Sequence, residues 1–418
     1  MFEFGRDLRK LFAQARESED LGWIELIGVD LLQAEARREA TDAGRVSCAH
    51  PFETERRACA LWREHARRSG AADSLARAAR CADSLTRIAR DETQAARAAI
   101  EVALTVMLRF DLCGGPEHLH AGLGVLEGVG RPRRAHDACA ASAVHARLKA
   151  RVARLNDDPG GLLDAAALMD VALHGARGDH DVGHDELRLD RAALALEAGV
   201  MQRDPRLLDQ AGRDLAALVE AASPDYRPLT RARALALCGA GLSALAAVAG
   251  DEEARRQGRD MFEAAAEHFT PDHSPLDWAT IQILRGDDET QPLMTLAQAE
   301  ALTQGEGLVV GALARLARTT REVALAEAIA DRTALSAIRG RLLARLAIHD
   351  ARIAPLDWVA DQIGLARVGM GAARLGDDAQ PNLGLILAEA AVTAREMGVP
   401  VLAEQAERLA RAVATSAV

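Results

Sequence analysis

Aromatic side chains make up only 3% of this 418-residue chain, and Tyr226 is its one tyrosine. Large β-sandwiches and barrels fill their pleated faces with Val, Ile, Thr and aromatics, so this scarcity argues against one. Lysine is nearly absent: of 51 basic residues only Lys10 and Lys149 are lysine, a bias that GC-rich coding produces. Charges of both signs are interspersed and sum to −11. No basic stripe carries interleaved aromatics, so nucleic acid is not expected as a partner. Cys48, Cys59, Cys81, Cys113, Cys139 and Cys238 form no C-x-x-C pair and no zinc-type spacing. With no signal peptide, they read as free, mostly buried thiols in a reducing, cytoplasmic setting. Long apolar runs are missing too. The longest uncharged run, Ala234 to Gly250, is short for a bilayer span and rich in Ala and Gly, which fits a buried helix.

Apolar content is 49%, carried mainly by Ala, Leu and Val. Ala, Leu, Arg and Glu all favour helix, and no alternating β pattern of useful length appears. A chain this long exceeds one ordinary core, which leaves two or three domains or one long array.

The array is favoured by recurring punctuation. "SPDYRPL" (Ser223 to Leu229) and "TPDHSPL" (Thr270 to Leu276) share the pattern [ST]-P-D-x-x-P-L, and "APLDW" (Ala354 to Trp358) repeats its end. After Pro228, small and apolar residues recur at Leu229, Ala232, Leu235, Gly239, Leu242 and Leu245, one helical face. Gly250 and Asp251 break it. A second segment follows with Met261, Phe262, Ala265 and Phe269 on one side, and then the next proline turn. Proline suits the first helical turn, with a capping Ser, Thr or Asp ahead of it. The unit is therefore helix, turn, helix, proline turn, about forty residues long, and such units must stack to bury their apolar faces. A second internal match, "GDDETQPL" from Gly286 and "GDDAQPNL" from Gly376, lies 8 residues after Trp278 but 18 after Trp358. The earlier copy has thus lost roughly three helical turns, which predicts a short helix near residues 279–290. Upstream, helices are expected at about 52–68, 71–90, 92–112, 134–154, 161–175 and 187–201, without proline punctuation.

The PLDW elements, the helix-pair period and the Gly-Asp turns resemble divergent bacterial tetratricopeptide-repeat (TPR-like) proteins. The match runs over roughly 204–418. It departs from the family in its longer period, in one truncated copy and in lacking the usual repeat tyrosine. The resemblance implies an all-α, α-solenoid superhelix of stacked helix hairpins, used for protein recognition. The expected organisation is 1–160, degenerate hairpins with a capping helix, and 161–418, a TPR-like array. The repeat positions are Pro228, Leu229, Pro275, Leu276, Trp278, Pro355, Leu356 and Trp358. Recurrence of the tryptophans at one repeat position favours packing into the preceding helix over anchoring a partner.

Candidate chemistry is sparse. In "GDHDVGHDE", His180, Asp181, His184, Asp185 and Glu186 hold metal donors, but Gly178 and Gly183 suggest a solvated loop. In "PEHLH", His118 and His120 are two apart and diverge on a helix. "GAGLS" at 239–243 reads as close helix packing, and "GLGVLEGVG" at 122–130 lacks the G-K-[ST] of a phosphate loop. No catalytic residue, metal or cofactor is expected. At the N-terminus, Phe4, Leu8, Leu11 and Phe12 form an apolar stripe opposite Arg6, Arg9 and Lys10. It would cap the array, or else dock on a partner or a membrane. The expected function is a cytoplasmic protein–protein interaction scaffold or regulatory adaptor. A small-molecule sensor and an enzyme on a helical toroid are the alternatives.

Overall fold

The computed structural model describes residues 21–129, 132–175, 182–285, 292–304, 308–377 and 382–416. Each of the three proline turns opens a helix, and each closes the same way. The carbonyl of the first turn residue accepts from the N–H four residues on: Ser223 from Arg227 at 2.7 Å, Thr270 from Ser274 at 2.9 Å, Asp350 from Ala354 at 3.1 Å. The side-chain oxygen of that same residue accepts a second backbone N–H, from Asp225, His273 and Ile353 respectively. The third copy therefore begins at Asp350, five residues before its proline like the others.

Among the described residues there are 18 α-helices, one 3-10 helix and no strand. The 3-10 helix, Gly22–Leu26, leads into α1 (Val29–Ala43), α2 (Pro51–Ser69), α3 (Ala72–Ile88), α4 (Glu92–Cys113), α5 (Glu117–Val129) and α6 (Ala135–Leu155). Next come α7 (Pro159–Gly175), α8 (Val182–Gln202), α9 (Pro205–Ala221), α10 (Pro228–Ala249), α11 (Glu252–His268) and α12 (Pro275–Leu284). The last are α13 (Leu293–Leu302), α14 (Val309–Ala328), α15 (Arg332–Leu346), α16 (Pro355–Arg374), α17 (Leu383–Glu396) and α18 (Pro400–Ser416). The expected helical segments are present, and α1, α5 and α9 add to them. Pro51, Pro159 and Pro205 also begin helices, so proline punctuation extends upstream, contrary to the sequence reading. The truncated repeat is real: α12 has 10 residues against 22 in α10 and 20 in α16. At 1.5 Å per residue that is about 15 Å less helix.

Consecutive helices pack as hairpins, with α6 on α7, α8 on α9, α10 on α11, α12 on α13 and α17 on α18. Even-numbered helices also meet their next even neighbour, as in α6–α8, α8–α10, α12–α14, α14–α16 and α16–α18. The odd helices make no comparable next-but-one contact among the described residues. This is the stacking of an α-solenoid of helix hairpins, one layer of even helices and one of odd. Where α10 crosses α11, glycine is required by space: a Cβ on Gly239 would lie 2.8 Å from the Phe262 ring and 3.0 Å from the Gly258 carbonyl. Gly250 ends α10 in the left-handed conformation and Asp251 caps α11.

The chain groups into two compact units. One comprises Met1–His65, Ala76–Thr105 and Gly122–Ser274, the other Ala66–Leu75, Val106–Ala121 and Pro275–Val418. Neither is divided at residue 160. In the first, Trp23, Ile27, Leu32, Phe52, Trp62 and Leu85 form the N-terminal core. In the second, Leu356, Trp358, Val359, Ile363, Leu387 and Leu402 form the largest cluster.

Candidate interaction surface

The even layer is laced by ion pairs that link one even helix to another. Arg97 of α4 donates to Glu53 of α2 at 2.8 Å and to Asp137 of α6 at 2.9 Å. Arg147 of α6 reaches Asp190 of α8 at 2.6 Å, and Arg154 pairs with Glu197 on the same two helices. In the second unit Arg67 of α2 meets Asp277 of α12 at 3.0 Å, Arg315 of α14 meets Asp357 of α16 at 2.8 Å, and Arg374 meets Glu327 at 3.0 Å. Apart from Arg67–Asp277, the partners lie 40–47 residues apart, one repeat. A residue type at a fixed position in one hairpin thus finds its opposite charge in the next, and stacking register is written in charge as well as in apolar packing.

Where these carboxylates titrate depends on how well each is compensated. Burial would raise Glu53, but the hydrogen bonds and charges of Arg56 and Arg97 together hold it below the usual carboxylate range. Asp361 goes the other way: burial pushes it up despite Arg345 and Arg315. Glu186 is the centre of the first unit's even layer. Burial raises its carboxyl against the pull of Arg147 and Arg233, and the charges of Asp190 and Glu64 push in the same direction as burial. Helices α2, α6, α8 and α10 all contribute to this centre, and Arg233 approaches Glu64 to 3.7 Å.

The repeat positions are structural neighbours of the cores. Leu229, Leu276 and Leu356 are buried, and Trp358 is 9% exposed. Trp278 is half-buried against Ala279, Ala299 and Ala314. Pro228, Pro275 and Pro355 are the first residues of α10, α12 and α16. Phe4, Leu8, Leu11 and Phe12 lie outside the described residues, as do His180 and Asp181. His184, Asp185 and Glu186 are not in a loop as expected but in the first turns of α8. His184 joins Asp170, Leu173, His174, Arg188, Arg191 and Asp214 around a cavity of about 340 Å³ between α7, α8 and α9. Arg191 spans it, 3.1 Å from Asp170 and 3.5 Å from Asp214. Among the described residues no group of three or more His, Cys, Asp or Glu is arranged to hold a metal.

Other expectations need correcting. Only Cys59 and Cys81 are buried, while Cys48, Cys113, Cys139 and Cys238 are half-buried. "GLGVLEGVG", already set aside as a phosphate loop, lies largely in helix α5, with open space beside Gly124 and Gly128. Helix α10 is the one described helix long and apolar enough to cross a membrane, and only 28% of its most apolar window is buried, less than the sequence suggested. It packs against α8, α9 and α11 within the first unit. Sequence reasoning missed the even-layer ion pairs. Their signal was present as Arg and acid recurring one repeat apart.

A scan against known protein families and a search of curated proteins find no match to this chain.

Proposed function

We propose that the chain is a TPR-like, cytoplasmic interaction scaffold or regulatory adaptor that reads a protein segment on its even-helix layer. The observation that carries this reading is the charge ladder. Within each unit the even helices meet both their neighbours and their next-but-one neighbours. There the chain places arginines and carboxylates at one-repeat intervals. A segment laid along that layer meets the same set of donors and acceptors every hairpin, and exchanges pairs within the array for pairs across an interface.

The test is affinity capture from cells with three baits: the parent, Asp190→Lys in the even layer, and Arg256→Glu on exposed α11. Asp190 is 35% exposed in its side chain and can be reversed without emptying a core. Partners retained by the parent and by Arg256→Glu, and lost with Asp190→Lys, are expected. Partners retained equally by all three contradict the reading. The cavity lined by His174, His184 and Arg188 supports a second reading, a small-ligand sensor. A thermal shift with carboxylate- or phosphate-bearing metabolites that is lost in Arg188→Ala would favour it.

A further inference from the structure

The segment that precedes α1 reaches the start of α10. Glu25, in the 3-10 helix, accepts from Arg227 Nε at 2.9 Å, from the Thr230 backbone N–H at 2.9 Å and from Thr230 Oγ1 at 2.6 Å. Thr230 is the third residue of α10, so the carboxylate meets the open N–H groups of a helix start. Helix α10 has no side-chain cap of its own. The fastening extends to the next proline turn. His273 Nε2 donates to the Glu25 carbonyl at 2.8 Å, and Val29 N–H donates to the Asp272 carbonyl at 3.2 Å. Gly28 lies so close to that turn that a Cβ would come within 2.9 Å of the Asp272 oxygen. Beyond it, α2 meets α10 through Glu64 and Arg233.

The apolar side chains of the same segment go elsewhere. Trp23 and Ile27 are buried with Leu32, Phe52, Trp62 and Leu85 of the N-terminal hairpins. The segment is therefore bound to its own hairpins by apolar burial and to α10 by hydrogen bonds and charge. These two kinds of attachment can be separated by substitution. Removing the hydrogen-bonding groups of Glu25 and Thr230 loosens the second and leaves the apolar burial intact.

We infer that residues 21–29 form a clasp on the start of α10, which opens with the N-terminal hairpins still folded and uncovers the first turn of that even-layer helix. The clasp regulates access to the layer assigned above to partner recognition and rests on that reading for its purpose. Its motion is independent of any partner, so the two can fail separately.

Hydrogen exchange followed by mass spectrometry on the full chain tests the motion. The comparison is between parent, Glu25→Gln with Thr230→Val, and Thr230→Ser, which keeps the hydroxyl. In the double variant, exchange is expected to rise at least about tenfold in peptides covering 21–30 and the first two turns of α10. Peptides of α6 and α7 should not change, and Thr230→Ser should follow the parent. Glu25→Gln alone, which keeps the shape of the side chain, should show a smaller rise at the same peptides, which decides the matter if the double variant fails to melt cooperatively. No change at 21–30 and α10, or an equal rise across α6–α9, overturns the clasp. Partner capture lost while exchange behaves as stated would count against the recognition surface alone.

Discussion

Replacing Trp358 with alanine removes the largest side chain from the second unit's main core. The indole is 9% exposed and packed among Leu356, Val359, Ile363 and Leu387. Truncating a tryptophan in such a site costs about 3–5 kcal/mol, as transfer free energy plus the cavity left behind. For a unit of this size each kcal/mol lowers Tm by about 2–4 °C, so the transition should fall by roughly 6–20 °C. Trp278 occupies the same repeat position, but it sits half-buried on the short helix α12, against three alanines. Less of its surface leaves water, and Trp278→Ala should cost about half as much. Circular dichroism at the helix band and calorimetry on parent and both variants make the comparison. The reasoning is refuted if Trp358→Ala melts with the parent, or if Trp278→Ala is the more damaging change.

Gly239→Ala adds helix propensity but drives a methyl into Phe262 and the Gly258 carbonyl. A net loss of about 1–2 kcal/mol is expected, and a variant as stable as the parent would show that α10 and α11 do not approach so closely. Glu186→Gln tests the half-buried centre through pH. A carboxyl raised in the folded state stabilises below the ordinary glutamate range, and that contribution is lost as pH climbs through the raised value. The glutamine variant should therefore gain Tm at about pH 8 and gain nothing near pH 4, and the reverse ordering contradicts the assignment. Burial pushes the Cys59 thiol up to about 12 and Cys238 to about 11. A thiol reagent at about pH 8 should label Cys59 only on unfolding, and labelling at the rate of a free thiol would place it at the surface. Deleting residues 1–14 should destabilise the chain and promote self-association if Phe4, Leu8, Leu11 and Phe12 cover an array end. A stable monomer that loses one interaction would make the segment a docking peptide.

The hairpin period was legible because proline, glycine and capping residues carry local physics. Pro228, Pro275 and Pro355 mark helix starts whatever packs around them, and the missing turns before Gly286 emerged as a short α12. Helix α5 was hidden by its glycines: Leu119 packs it into the core, and tertiary contact outweighs a poor local propensity. The loop expected at His184 failed for a related reason, since Gly183 lies inside the span of α8 rather than before it. The surface was harder to see. A pair such as Arg147 and Asp190 becomes visible only when the stacking register is known, because each residue alone is an ordinary charge on a helix. Glu25 was beyond sequence reasoning altogether. Its partners lie 202 and 205 residues away and are set by closure of the unit, not by any local pattern.

The most direct measurement of the central claim is a hydrogen-exchange footprint of the chain with a captured partner bound. Protection should gather on the even helices, above all α6, α8, α14 and α16, along the side chains of Arg147, Asp190, Arg315 and Asp357. Protection confined to the odd helices α7, α9, α11 and α15 would contradict the account.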